Sequence, residues 1–215
     1  MDESSNPGEL SATEARILGC LVEKQATTPE AYPLTANAVQ VACNQKNNRE
    51  PVLELEAGEV GHALRELEGR ALLRSVHGAR AQRYEHRFAT AYSVTNRQQA
   101  ILAMLLLRGA QTPAELQSRG ERMGGPVDLE ETRQVLERLM QRTPALVANL
   151  GRAPGQREDR YMHLLSGPVS ALEHPASADA ATPARRAGLE ARVEALEAEV
   201  EALRNELQAI RSNLP

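Results

Sequence analysis

"RYEH" at residues 83–86 returns as "RYMH" at residues 160–163. In a chain of 215 residues with four tyrosines, this is either a pair of functional sites or one structural unit built twice. An Arg, a Tyr and a His could bind phosphate or move protons, but the surrounding segments favour duplication. "ARILGCL" (15–21) aligns with "QAILAML" (99–105) at an offset of 84, and "TTP" (27–29) falls on "QTP" (111–113) at the same offset. "EVGHALREL" (59–67) matches "ETRQVLERL" (131–139) at an offset of 72, and Arg-Tyr-x-His itself gives 77. Chance similarity would not keep four landmarks in one order, so the pattern reads as a repeat with altered loops.

Each unit then has a physical reading. Ser11 and Glu14 form a capping-box pattern ahead of Ile17, Leu18 and Leu21, which share a helical face. Thr35 can cap a second helix with Ala38, Val41 and Ala42 as its stripe, and Val60, Leu64 and Leu67 mark a third. Residues 72–76 and 82–88 then read as a β-hairpin. The second unit repeats the order over 97–108, 113–122, 128–142 and a hairpin within 145–165. In this frame Tyr84 and Tyr161 face the core, while the flanking Arg and His alternate outward.

Three helices followed by a hairpin is the order of a winged helix. The expected fold is mostly α with small β-hairpins: tandem winged-helix domains plus a C-terminal coiled-coil helix. The expected boundaries are a disordered N-terminus at 1–10, winged-helix domains at 11–92 and 93–167, a flexible linker at 168–188 and a coiled coil at 189–215. "LTANAVQVACNQKNNREPV" (34–52) and "APGQREDRYMHLLSG" (153–167) resemble the YceH family, bacterial proteins with two winged-helix units. That resemblance implies the fold and supplies no catalytic or binding residue.

Composition narrows the function classes. Aromatic content of 2% makes the cores aliphatic, and a net charge of -4 means nucleic-acid contact needs a local basic patch. Lys24 and Lys46 are the only lysines among 25 basic residues, a skew that genome composition alone can produce. No apolar run reaches the roughly 18 residues of a membrane span, so the expectation is a cytoplasmic protein without membrane contact. Cys20 and Cys43 read as buried free thiols. His62, His77, His86, His163 and His174 form no cluster, and nucleotide-binding glycine motifs, metal-ligand spacings and catalytic triads are missing from the sequence. The expectation is a non-enzyme without cofactor or metal.

A DNA reader of this class lays its third helix in the major groove. The outward positions of the first unit's third helix are Gly58, His62, Arg65, Glu66 and Gly69, a small and charge-balanced face. Those of the second are Glu130, Glu131, Gln134, Arg138 and Gln141, and its acidic start would repel phosphates. The first hairpin differs, with Arg70, Arg74, Arg80, Arg83 and Arg87 against Glu85 alone. The candidate nucleic-acid contacts are therefore Lys46, Arg49, Arg74, Arg80, Arg83 and Arg87, acting electrostatically and with weak sequence specificity. A solvated hairpin in an arginine-biased chain is the equal alternative.

The C-terminal segment is more explicit. Leu189, Val193, Leu196, Val200, Leu203, Leu207, Ile210 and Leu214 are spaced alternately by four and three. β-branched residues at a and Leu at most d positions favour a parallel dimer. In that orientation Arg192 meets Glu197 of a second copy, Glu199 meets Arg204, and Glu206 meets Arg211. The sequence thus predicts a homodimer that is nucleic-acid-associated or regulatory, or else a protein-interaction scaffold that binds no nucleic acid. Fold alone does not choose between them.

Overall fold

The computed structural model describes residues 7–77, 81–152 and 155–169, with the side chain of residue 77 excepted. The linker from 170 and the whole dimer seam lie outside the described residues, as do Arg80 and positions 1–6.

Helix α1 (Ala12–Thr27) starts at the expected capping box: Ser11 Oγ accepts from the Glu14 N–H at 3.2 Å, and Glu14 Oε2 accepts from the Ser11 N–H at 2.7 Å. Leu10, expected to be disordered, is buried, and its N–H donates to the Leu165 carbonyl at 2.8 Å. A short 3-10 turn (Pro29–Ala31) leads to strand β1 (Leu34–Thr35) and helix α2 (Ala36–Cys43), capped by Thr35 Oγ1 at 3.2 Å from the Ala38 N–H. The buried stripe of α2 is Val39, Ala42 and Cys43, whereas Val41 is 60% exposed. The expected phase of this helix was therefore rotated by about one residue, because an eight-residue helix that is apolar nearly throughout carries no clear periodicity. Helix α3 (Ala57–Gly69) buries Val60, Leu64 and Leu67 as expected, with Ala63 beside them.

Strands β2 (Leu73–His77) and β3 (Gln82–His86) form the first hairpin, and β1 pairs with the other edge of β3. The hairpin ends at His86. Phe88, expected on its strand, begins helix α4 (Phe88–Tyr92) and is fully buried, its ring centroid 4.7 Å from that of Tyr92. Phe88 is the largest of the fully buried side chains, and turning the chain inward buries it as a strand running outward cannot.

The order then recurs: α5 (Asn96–Arg108), α6 (Pro113–Gly120), α7 (Leu129–Met140), β4 (Val147–Gly151) and β5 (Arg160–His163). Thr132, Val135, Leu136 and Leu139 are buried in α7 as Val60, Ala63, Leu64 and Leu67 are in α3. Leu34 pairs with Tyr84, and Gln111 with Tyr161 through two backbone bonds of 3.0 and 2.8 Å. The repeated Arg-Tyr-x-His is thus the same strand position in two units. This pairing corrects one landmark: the counterpart of Thr112-Pro113 is Thr35-Ala36, at an offset of 77, and not Thr28-Pro29. Both threonines cap the second helix of their unit, while Thr28-Pro29 opens a 3-10 turn present in the first unit only.

The strand reading of the flanking histidines also needs correction. Tyr161 and His163 lie two residues apart and so share a face. His163 is buried, and Tyr84 and Tyr161 are half-buried against the core.

All described residues belong to one compact unit with a continuous aliphatic core. Helix α1 is buried along all of 14–23 because α2 and α3 cover one side and α5 the other. Where α1 meets α5 there is no room for a side chain: a Cβ at Gly19 would lie 2.9 Å from Leu107 Cγ and 3.2 Å from Leu106 Cβ. Among the described residues no helix is long and apolar enough to cross a membrane.

Candidate nucleic-acid interface

The first hairpin displays its arginines unequally. Arg74 and Glu85 are register partners across β2 and β3 and form an ion pair, so that charge is locally answered. Arg83 is exposed but donates from Nη1 to the Pro33 carbonyl at 2.7 Å, which holds its stem along the approach to β1. Arg87 is exposed beyond the end of β3. Arg70 belongs to the body: it pairs with Glu14 at 2.6 Å and donates to the Glu9 carbonyl at 2.8 Å.

Lys46 and Arg49 come from the loop after α2, and the structure separates them. Lys46 is exposed and lines an open depression of about 400 Å³ with Lys24, Gln45, Asn47 and Asn48, which therefore holds both lysines of the chain. Arg49 turns inward and is 5% exposed. Its guanidinium meets both Glu23 carboxylate oxygens at 3.1 and 2.5 Å, the Ala42 carbonyl at 3.0 Å and Gln45 Oε1 at 3.1 Å. Burial pulls its pKa down, but the Glu23 hydrogen bonds and neighbouring thiols outweigh this and raise it. The expectation that Arg49 reaches phosphate fails on this geometry, because its donors are spent inside the fold. The loop is also tied to the second unit, where the Glu50 N–H donates to Leu107 O at 2.9 Å and Arg108 bonds Asn48.

Arg83 and Lys46 lie toward opposite ends of α2, which at eight residues is about 12 Å long. The outward positions of α3, Gly58, His62, Arg65, Glu66 and Gly69, are all exposed. In α7, Glu130, Gln134, Arg138 and Gln141 are exposed, and Glu131 is paired with Arg97. Among the described residues no group of three His, Cys, Asp or Glu side chains could hold a metal.

His86, expected to turn outward on its strand, is instead half-buried. Its Nε2 lies 2.8 Å from Gln25 Oε1, its Nδ1 accepts from the Phe88 N–H at 3.3 Å, and its own N–H donates to the Tyr32 hydroxyl at 2.7 Å. Burial lowers the imidazole pKa to about 4, against a smaller raising effect of Glu85. At neutral pH this histidine adds no charge to the hairpin.

Comparison with known sequences places these features in a family. The family described as "Protein of unknown function, DUF480" matches residues 10–156. A UPF0502 protein of Xanthomonas axonopodis pv. citri is 52% identical over 187 residues, covering 87% of this chain and 83% of its own. A UPF0502 protein of Stenotrophomonas maltophilia is 53% identical over 182 residues, covering 81% and 83% respectively.

Proposed function

The chain belongs to the DUF480 family, and from that premise we propose that it is a non-enzymatic, cytoplasmic tandem winged-helix protein that associates with nucleic acid through its first hairpin. Contact is electrostatic and weakly sequence-specific, made by Arg83, Arg87 and Arg80 to backbone phosphates, with Lys46 as a second point of attachment. The observation that carries this reading is the exposure of Arg83 on the hairpin and of Arg87 just past its end, beside third helices whose outward faces are near neutral. The likeness to the YceH proteins belongs to the same proposal.

The double substitution Arg83→Glu with Arg87→Glu tests it, read by fluorescence anisotropy of labelled duplexes over a salt series. The expected result is weaker binding to every duplex and a shallower dependence of log affinity on log salt. Unchanged affinity in a folded double variant sinks the hairpin as the interface. Failure of the parent to bind any duplex leaves the alternative, a protein-interaction scaffold.

The proposal includes a parallel homodimer through the 189–215 heptads, which doubles the number of weak contacts and combines them by effective concentration. Sedimentation of the full chain should give a dimer, and the chain ending at Gly188 a monomer. A monomeric full chain, or a dimer that survives the deletion, removes the tail from the assembly.

A further inference from the structure

The open depression of about 400 Å³ beside the loop after α2 is lined by Lys24, Gln45, Lys46, Asn47 and Asn48, and no carboxylate is among these side chains. Two arginines decide which ends of the amides face a visitor. Arg49 Nη2 donates to Gln45 Oε1 at 3.1 Å, and Arg108 Nη2 donates to Asn48 Oδ1. A guanidinium has donors only, so each amide gives it the oxygen and keeps its NH2 group. Among the described residues those two NH2 groups and the Lys46 ammonium have no partner. Lys24 Nζ lies 3.9 Å from Glu23 Oε2, but both oxygens of that carboxylate are already engaged by Arg49. Four cations, Lys24, Lys46, Arg49 and Arg108, thus gather near two carboxylates, Glu23 and Glu50, and positive charge is left over. Arg108 feels this excess: its pKa is lowered, first by burial and then by the charges of Arg119 and Arg49, against smaller raising effects of Glu23 and Glu50.

We propose that this depression is a binding site for a phosphate monoester, with Lys24 and Lys46 supplying charge and Gln45 and Asn48 supplying amide donors. The phosphate belongs either to a small phosphorylated molecule or to the 5′ end of a nucleic-acid strand. The site goes beyond the backbone contact assigned to Lys46 above and does not depend on the first hairpin. A phosphate monoester brings close to two negative charges and three strong acceptor oxygens at neutral pH, which matches a wall of donors and an uncompensated positive charge. The donors are also held in place before anything binds. Arg49 ties the loop to the Ala42 carbonyl at 3.0 Å and to the Asn48 carbonyl at 2.8 Å, and the Glu50 N–H donates to Leu107 O at 2.9 Å. Asn48 itself takes a left-handed φ of 61°, a conformation asparagine tolerates better than most residues. Binding therefore orders little of the chain. The depression falls within the roughly 300–1,000 Å³ of small-molecule sites, so part of whatever carries the phosphate also has room.

The test uses the full-length protein and two matched pairs of probes. Calorimetry compares adenosine 5′-monophosphate with adenosine, and fluorescence anisotropy compares a 5′-phosphorylated single strand with the same strand ending in a 5′-hydroxyl. The expected result is that the phosphate-bearing member binds at least about tenfold more tightly in one pair or both, the effect of one charge-assisted hydrogen bond. A preference in the adenosine pair alone assigns a small phosphorylated molecule, a preference in the strand pair alone assigns a nucleic-acid end, and a preference in both assigns the phosphate whatever carries it. Lys46→Ala and Lys24→Ala should each remove most of that preference. Lys46 is exposed and without a partner, so its variant keeps the fold. Arg138→Ala, which removes an exposed charge from α7, should leave the preference unchanged. The proposal is overturned if neither phosphate-bearing probe exceeds its match, or if both lysine variants bind as the parent does. It is equally overturned if Arg138→Ala weakens binding as much as Lys46→Ala, since the attraction would then be that of bulk charge and not of this site.

Discussion

His86 is held as a neutral ring, with Nδ1 accepting from the Phe88 N–H and Nε2 donating to Gln25. Protonation would set a new N–H against that backbone donor. With a folded pKa of about 4 and an unfolded one of about 6.5, only the unfolded chain takes up the proton between those values. Unfolded protein then binds more protons, so stability falls as the pH drops through this window and is flat with respect to this group below it. Melting curves between pH 7 and pH 4 should show that decline, and His86→Gln should flatten it. An unaltered pH profile in the variant would mean that His86 is charged in the fold. Arg49 teaches the complementary lesson at this scale. In "KNNR" the sequence displays a charge but no direction, and a surface arginine and a buried one look alike until Glu23, 26 residues earlier, is known to be its partner. The burial of the Cys20 and Cys43 thiols was legible because both sit in stretches that read as apolar helix.

Among the elements, helix starts were readable because a cap is a local device. Ser11 with Glu14, and Thr35, hold the N–H groups their spacing implies. The stripe of α3 was readable because its 13 residues give more than three turns of period. What local pattern could not reveal was which threonine corresponds to which, since "TTP" and "QTP" look alike whether the chain enters a 3-10 turn or an α-helix. The strand pairing settles this and yields a prediction. Thr35→Ala and Thr112→Ala should each cost about 1 kcal/mol, the usual worth of an N-cap side chain. Thr28→Ala should cost less, because Thr28 makes no side-chain cap bond to the turn it precedes and only a 3.2 Å bond back to the Lys24 carbonyl. Urea unfolding of the three variants checks it. Equal losses at Thr28 and Thr112 would restore the original alignment of the two units.

Across the whole molecule, the repeat could be read from order alone, but its packing could not. Two copies of one unit might have been strung apart; instead the first helices of each lie against one another, and Gly19 is the residue that permits it. Gly19→Val should cost roughly 2–3 kcal/mol, the upper part of the range for overpacking a filled core. The neighbours are branched leucine atoms with nowhere to retreat. A single cooperative melt at lower temperature is the expected result. If the variant melts in two steps, the units are stable separately and the contact only joins them. A seam this tight makes the body a gauge and not a hinge. The close contact of α1 with α5 sets the hairpins of the two units at one separation when the chain folds. On the proposed reading, a ligand that touched both hairpins would have to offer its features at that pitch.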